Sequence, residues 1–183
     1  MNAGTDNSMA EILLLYATAD GHTLKICRRL QQVIEQCGQQ VKLLAIADAA
    51  TVNLEDFTKI VIGASIRYGK HSRQVYEFIE KSRLILDRKP NAFFSVNVVA
   101  RKPEKASPQT NPYLVKFLKQ IPWRPKQLAV FGGKLDYPSC RYWDRQMIRA
   151  IMWMTGGPTA PDTVVEYTDW QQVEAFGRLV TEM

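Results

Sequence analysis

The chain reads Ile12-Leu13-Leu14-Leu15-Tyr16-Ala17-Thr18-Ala19-Asp20-Gly21-His22-Thr23 near its beginning, an apolar run that ends in a short turn. Such a run predicts a buried β-strand, and the residues that follow have the spacing of a helix. Free backbone N–H groups at a helix start, together with the helix dipole, favour an anion. Gly21 allows a tight turn there. The stretch therefore predicts a phosphate-binding turn, but it does not distinguish one phosphate ligand from another.

The length and composition indicate a single globular domain. The chain has 183 residues, of which 46% are hydrophobic and 23% are charged, and this is enough to bury a sizeable core. No apolar run reaches the length of about 18 residues that would span a bilayer. Residues 1–10 are polar and lack the features of a secretory signal. We expect them to form a flexible extension before one domain at 11–183.

The net charge of +6 is unevenly distributed along the chain. Residues 66–149 contain 18 Lys and Arg against 6 Asp and Glu, which gives +12, whereas both flanking regions are net negative. This asymmetry favours a face that meets nucleic acid, lipid headgroups or a carboxylate-rich substrate. The simpler alternative is that the charge only keeps the surface soluble.

The three cysteines, Cys27, Cys37 and Cys140, do not have the spacing of metal ligands. Cys27 and Cys37 fall within and at the end of a predicted helix, where small buried thiols are common. We therefore expect a reduced chain in the cytosol and no metal site.

Five apolar runs alternate with helical patterns. The predicted strands are residues 12–16, 41–46, 60–62, 92–99 and 128–131, and the predicted helices are residues 23–37, 72–86, 113–118 and 169–180. This alternation predicts an α/β fold with a parallel sheet covered by helices on both faces. In such a fold the ligand lies beyond the carboxyl ends of the strands.

One long excursion interrupts this alternation. It covers about residues 133–160, between the fifth strand and a short strand-like run at 163–167 that leads into the last helix. Connections in α/β domains are usually much shorter, so an insertion of this length indicates a function.

Three loops follow strand ends, at residues 18–23, 63–69 and 95–111, and they are expected to meet at one edge of the sheet. A flat, partly polar cofactor needs backbone amides at its polar edge and a side chain over its face, and Tyr68 is the candidate for stacking. Tyr68 could also be an ordinary loop aromatic. The predicted cofactor-binding residues are Thr18, Ala19, Asp20, Gly21, His22, Thr23, Ser65, Ile66, Arg67, Tyr68, Gly69, Ser95, Val96, Asn97, Val98, Val99, Ala100 and Arg101.

The first turn resembles the FMN-phosphate loop of flavodoxins, with Asp20 in place of the middle threonine. Residues 61–69, 95–105 and 167–170 closely resemble the bacterial menaquinone-dependent protoporphyrinogen oxidase family, and the resemblance runs from about residue 12 to residue 180. It implies a flavodoxin-like three-layer sandwich with strand order 2-1-3-4-5 and bound FMN. The Asp20 carboxylate is expected to turn away from the phosphate or to cap the helix.

The resemblance also implies an oxidoreductase of heme biosynthesis that converts protoporphyrinogen IX to protoporphyrin IX. Its electrons would pass through FMN to a membrane quinone, menaquinone or ubiquinone, at the cytoplasmic face of the inner membrane. The flavin N5 would accept hydride, so no catalytic side chain is assigned. His22 is expected to hold the turn, and His71 to lie at a solvated helix start rather than in the site.

Basic side chains on the second and third loops are candidates for binding the porphyrinogen propionates. They could equally meet anionic phospholipid, and the sequence does not decide between these roles. These candidates are Arg67, Lys70, Arg101, Lys102 and Lys105.

The insertion contains an apolar helical stripe with arginines at 141, 145 and 149 on the opposite side, and the residues of the stripe are Tyr142, Trp143, Met147, Ile148, Ile151, Met152 and Met154. This is typical of a helix that lies in a membrane surface, although the stripe could also pack on the protein's own core. The residues predicted to meet the membrane and its quinone are Tyr142, Trp143, Arg145, Met147, Ile148 and Ile151.

Two other functions remain open from the sequence. A flavodoxin-like electron carrier or NAD(P)H:quinone reductase would use the same cofactor without a porphyrin, although carriers are usually acidic. A flavin-free module that binds nucleic acid through the basic face is the least favoured, so we expect no nucleic-acid partner. The chain could also form a homo-oligomer.

Overall fold

A computed structural model of the protein describes residues 11–138, 142–154 and 156–183, without the side chains of residues 143 and 144. The N-terminal extension expected at residues 1–10, the third cysteine and Arg141 lie outside the described residues. Within those residues, no helix is both long enough and apolar enough to cross a membrane.

The main sheet has five parallel strands in the order β2-β1-β3-β4-β5, as predicted. They are β1 (Glu11–Ala17), β2 (Gln40–Ala45), β3 (Lys59–Ser65), β4 (Asn91–Asn97) and β5 (Gln127–Gly132). Strands β3 and β4 are buried along almost their whole length, as expected for strands covered on both faces. The strand order reverses between β1 and β3, so this is where a ligand is expected.

Four helices cover the two faces of the sheet. Helices α2 (Arg73–Arg88) and α3 (Pro112–Gln120) pack against one face, where Leu13, Ile62 and Phe93 form the core. Helix α1 (His22–Gln36) and the last helix (Trp170–Glu182) pack against the other, on Leu14, Val61 and Phe94. Alternate residues of each strand thus enter opposite cores.

The insertion has a small core of its own. Strands β6 (Lys134–Asp136) and β7 (Val164–Glu166) pair antiparallel, and helix α4 (Tyr142–Met154) lies between them in the chain. The last helix is therefore α5. Leu135, Tyr137 and Met152 are buried together, and Val98 of the third loop packs against them. The insertion is thus attached to the domain beside the predicted site.

Strand β4 ends two residues earlier than predicted. Its β-branched run continues through Val98 and Val99, but Val98–Arg101 forms a turn of 3₁₀ helix. The side chain of Asn97 accepts a hydrogen bond from the backbone N–H of Ala100 at 3.1 Å. This cap begins the 3₁₀ turn, and a local capping contact outweighs the strand propensity of valine.

Candidate functional site

The three predicted loops meet at one edge of the sheet. The backbone N–H of Ala19 in the first loop donates to Ser65 Oγ in the second at 3.2 Å. The N–H of Ile66 donates to the carbonyl oxygen of Val96 at 3.0 Å. The N–H of Gly133 donates to the carbonyl of Asn97 at 3.1 Å. Hydrogen bonds therefore join the ends of four neighbouring strands into one surface.

The first turn is held by its own side chains. Thr18 Oγ1 accepts from the N–H of Gly21 at 2.9 Å, and Asp20 Oδ1 accepts from the N–H of His22 at 3.1 Å. Gly21 has a φ of +84°, which favours glycine. The N-cap position itself is Gly21 and has no side-chain cap, but the Asp20 carboxylate occupies the N–H of the first residue of α1, an amide that would otherwise be free for an anion.

Thr23, in the first turn of α1, has a hydroxyl group with no hydrogen-bond partner among the described residues, although its oxygen is buried. Burying a hydroxyl group without a partner is costly. The group lies two residues after Gly21, at the helix terminus where an anion is favoured. This unpaired hydroxyl matches the chemistry of a bound phosphate.

His22 is also buried, with 5% of its surface exposed. Its Nε2 lies 2.6 Å from Thr168 Oγ1, just before α5. Burial lowers the pKa of His22, while the charges of Glu166 and Asp20 oppose this shift. The expected role of His22 in holding the turn is therefore compatible with its contacts, since it ties α1 to the chain that returns from the insertion.

The second loop presents Tyr68 at the tip of a tight turn. Arg67 and Lys70 exchange two backbone hydrogen bonds, at 3.0 and 3.3 Å, across the pair Tyr68-Gly69. Both central residues have positive φ, +52° for Tyr68 and +77° for Gly69, as a type I′ turn requires. An aromatic residue is rare in this conformation. Tyr68 is 57% exposed, and such strain is often found at functional sites.

His71 is not at a solvated helix start, so that expectation is wrong. Only 2% of its surface is exposed, and its ring lies edge-on to Phe93 and Phe117. The sequence around it, Gly69-Lys70-His71-Ser72, is polar. The burial comes from aromatic residues of β4 and α3, which are distant in the chain.

The third loop is organised by two buried asparagines. Asn97 and Asn111 exchange hydrogen bonds between their side-chain amides, at 3.1 and 3.3 Å. Asn111 also caps α3, because its Oδ1 accepts from the N–H of Leu114 at 3.2 Å. Asn111 was not among the predicted site residues, although its position before Pro112 is typical of a helix cap.

The basic candidates fall into two groups. Arg67 and Lys70 flank the exposed turn, and the Arg67 guanidinium carbon lies 5.3 Å from the centre of the Tyr68 ring. Lys102 and Lys105 are half-buried in the third loop. The side chain of Arg101 instead lies against Gly157 of the insertion. A Cβ atom at Gly157 would be only 3.0 Å from Nη2 of Arg101.

Helix α4 divides its apolar residues between two sides. Tyr142, Met147 and Ile151 are exposed by 57%, 41% and 39%. Ile148 packs on the small core, and Met152, which belongs to the predicted stripe, is buried there. For these two positions the alternative of core packing is correct. The side chain of Trp143 lies outside the described residues.

The two arginines of α4 contact other residues of the insertion, which the sequence pattern of a basic side opposite an apolar stripe does not indicate. Arg149 Nε donates to the carbonyl oxygen of Thr159 at 2.8 Å, so this side chain is engaged within the insertion. Arg145 lies over the Tyr142 ring, with its guanidinium carbon 5.7 Å from the ring centre.

Among the described residues, no group of His, Cys, Asp and Glu could hold a metal ion.

Comparisons with known proteins agree with this geometry. A family model described as a flavodoxin domain matches residues 13–162. The chain belongs to this flavodoxin family. It is similar to the protoporphyrinogen IX dehydrogenase (quinone) of Escherichia coli strain K12, with 43% identity over 93% of this chain and 94% of the relative. A protein of the same name from Leishmania major is 39% identical over 90% of this chain and 71% of its own length.

The fold is also that of solved flavodoxins. Flavodoxin 1 from Bacillus cereus aligns over 94% of this chain and 98% of its own, with a TM-score of 0.54 and 15% identity. Membership of the flavodoxin family indicates FMN as the cofactor. The site fits this group, because the unpaired Thr23 hydroxyl lies at the start of α1 and Tyr68 offers an exposed aromatic face.

Proposed function

We propose that this protein is an FMN-dependent dehydrogenase that oxidises protoporphyrinogen IX to protoporphyrin IX and passes the electrons to a membrane quinone. The observation that carries the proposal is the E. coli relative of that name, which is 43% identical over 93% of the chain. When bound, FMN supplies the redox chemistry, since its ring system accepts electrons from a reduced substrate and returns them to a quinone.

The chain's own residues would bind and orient this cofactor. The start of α1 would hold the phosphate through backbone N–H groups and the Thr23 hydroxyl, which is unpaired among the described residues. Tyr68 would cover one face of the flavin, and its strained turn keeps the ring at the surface. The third loop would line the polar edge, with Asn97 and Asn111 holding its backbone.

The substrate carries two propionates, which suit the basic residues around the Tyr68 turn. Lys70 is exposed beside that turn and can approach a carboxylate. We expect Lys70→Gln to raise the KM for protoporphyrinogen IX about three- to tenfold with kcat nearly unchanged, because it removes a binding charge. Lys116→Gln removes an exposed charge from α3 and serves as the matched control. An equal KM for both variants would contradict this role.

Neither histidine of the site is assigned a proton-transfer step with the substrate. His22 and His71 are 5% and 2% exposed, and both are engaged in hydrogen bonds within the protein. The proposed reaction therefore uses the protein to bind, orient and shield the reactants rather than to provide a general base.

The decisive experiment mixes the FMN-loaded protein with protoporphyrinogen IX and a quinone without oxygen. Porphyrin fluorescence should appear together with reduced quinone, in a one-to-three ratio that reflects removal of six electrons. Heat-denatured protein and free FMN are the controls. Reduction of the flavin by NADH but not by protoporphyrinogen IX would instead identify an NAD(P)H:quinone reductase.

We also propose that α4 holds the protein at an anionic membrane surface, where the quinone resides. Met147 and Ile151 lie one helical turn apart, and both are exposed. An apolar pair in that position can enter the lipid interface while the basic surface meets the headgroups. Such contacts would place the site beside a quinone dissolved in the bilayer.

Co-sedimentation with vesicles tests this attachment. Met147→Glu combined with Ile151→Glu should weaken binding to vesicles that contain anionic lipid about tenfold or more, because it removes apolar contacts and adds repulsion. Leu84→Glu changes an exposed leucine of α2, 81% accessible, and should have a much smaller effect. FMN content should stay the same in all variants. Equal loss of binding in both proteins would argue against a specific role for α4.

A further inference from the structure

His71 lies between the second and third loops of the candidate site. Its ring centre is 5.4 Å from that of Phe93 and 4.7 Å from that of Phe117, and only 2% of its surface is exposed. Two polar groups reach the ring in this otherwise aromatic environment. They are the carbonyl oxygen of Ser65, at the end of β3, and the hydroxyl group of Ser95, near the end of β4.

The directions of these two hydrogen bonds follow from chemistry. His71 Nδ1 lies 3.2 Å from the Ser65 carbonyl oxygen, which only accepts, so Nδ1 carries the proton. Burial lowers the pKa of His71 to about 4, and the ring is neutral at pH 7. A neutral imidazole has one N–H, so Nε2 is an acceptor. The Ser95 hydroxyl, 3.4 Å away, must therefore donate to Nε2.

This donation agrees with the orientation of the Asn97 side-chain amide. Since the Ser95 proton points to His71, Ser95 Oγ is left as an acceptor, and Asn97 Nδ2 donates to it at 3.3 Å. Asn97 Oδ1 then faces the N–H of Ala100 at 3.1 Å and Nδ2 of Asn111 at 3.1 Å. The reversed amide would place Nδ2 against both of these donors, and their hydrogen bonds would be lost.

The hydrogen bonds continue from Asn97 to Asn111, again with each donor facing an acceptor. Its Nδ2 donates to the carbonyl of Lys105 at 2.9 Å as well as to Asn97. The path thus runs from the end of β3, which also receives the N–H of Ala19, to the 3₁₀ turns of the third loop. Buried chains of this kind are stable only when every donor finds an acceptor.

We propose that His71 is a positioning residue that joins the ends of β3 and β4 through Ser65 and Ser95, and thereby holds the third loop in the shape that receives the flavin. The inference rests on the proposed function and deepens it, because it assigns a task to a residue that need not touch the cofactor. The competing explanation is that His71 only fills space between Phe93 and Phe117.

Three substitutions separate these explanations. His71→Gln can place its Oε1 near the position of Nε2 and still accept from Ser95. His71→Asn can keep the contact with Ser65 but does not reach Ser95. His71→Phe fills the same volume and makes neither hydrogen bond. A cooperative unfolding transition in urea establishes whether each variant is folded. If His71→Phe does not fold, the comparison of His71→Asn with His71→Gln decides between the two explanations.

The first readout is the side-chain amide signal of Asn97 in the ¹⁵N NMR spectrum of the full chain without cofactor, assigned by its loss in Asn97→Asp. We expect His71→Gln to keep this signal near its wild-type position, and the other two variants to shift it. A shift in His71→Asn and His71→Phe but not in His71→Gln reports loss of the hydrogen bond between residue 71 and Ser95, because a change of packing alone would move the signal in His71→Gln as well.

The second readout is the affinity for FMN, measured by quenching of flavin fluorescence. His71→Gln should bind within about threefold of wild type, and His71→Phe and His71→Asn about tenfold more weakly. Wild-type affinity and an unchanged Asn97 signal in His71→Phe would overturn the inference. Failure of the wild-type protein to bind FMN would instead refute the proposed function, while the Asn97 signal would still test the hydrogen-bond path.

Discussion

Nε2 of His22 donates a hydrogen bond to Thr168 Oγ1 at 2.6 Å, across 146 residues of the chain. The direction is determined because the Thr168 hydroxyl itself donates to the carbonyl of Gly132 at 2.7 Å. The first turn of α1 is thereby tied to the end of β5 and to the segment that leads into α5. The shape of the predicted phosphate site thus depends on a residue that follows the insertion.

Replacing Thr168 with valine should weaken this site. The buried Nε2–H of the His22 ring would lose its acceptor, and the free energy of unfolding should fall by about 1–2 kcal/mol. FMN should bind more weakly, and riboflavin, which lacks the phosphate, should be less affected. Urea unfolding and flavin fluorescence measure both quantities. Thr181→Val, which removes an exposed hydroxyl from α5, should leave both unchanged.

Replacing Asp20 with asparagine should strengthen FMN binding. The asparagine side chain keeps the oxygen that accepts from the N–H of His22 and removes a negative charge beside the phosphate. In an exposed turn the gain is about threefold in affinity, and it should diminish at high salt. Riboflavin affinity should not change. Glu35→Gln, which removes the same charge from the opposite end of α1, is the control. Weaker FMN binding by Asp20→Asn would contradict the repulsion.

Tyr68 should show opposite effects on stability and on cofactor binding. Asparagine tolerates the positive φ of +52° found here, so Tyr68→Asn should raise the free energy of unfolding by about 0.5–1 kcal/mol. The same change removes the aromatic face, and FMN affinity should fall about tenfold. Tyr68→Phe keeps the ring and the strain, so both quantities should stay close to wild type. Loss of stability in Tyr68→Asn would show that the turn is not strained.

His71 should make the stability of the protein dependent on pH. Burial lowers its pKa from 6.5 to about 4, so between these values the unfolded chain binds more protons than the folded one. Stability is therefore lost as the pH falls below 6.5, by about 2 kcal/mol between pH 7 and pH 5. His71→Gln lacks this titration. Its unfolding free energy should fall less over the same interval, and parallel curves for the two proteins would refute the assignment.

Much of the fold could be predicted from local patterns. The apolar run at residues 12–17 and the turn after it were enough to predict β1 and the start of α1. Helix α3 and its cap follow from Asn111 and Pro112. These features depend on residues that are neighbours in the chain, and short-range physical rules describe such features well.

The wrong predictions concern side chains whose burial or hydrogen-bond partners depend on residues far away in the sequence. His71 lies in a polar segment, and its burial depends on Phe93 and Phe117, which no local pattern connects to it. The apolar residues of α4 were assigned to one stripe, but Met152 packs on Leu135 and Tyr137 of the insertion itself. Thr168 was noticed only as part of a family resemblance. Its hydroxyl needs the folded structure to find His22.

The antiparallel pairing of β6 and β7 also affects which parts of such a chain can vary in length and sequence. Because Lys134 faces Glu166 across this pair, the insertion leaves and rejoins the domain at adjacent points. A segment attached in this way can be lengthened, shortened or exchanged while the parallel sheet keeps its register. The pairing therefore separates the sheet, whose sequence is constrained by its packing, from the helix of the insertion, whose sequence can vary without changing that packing.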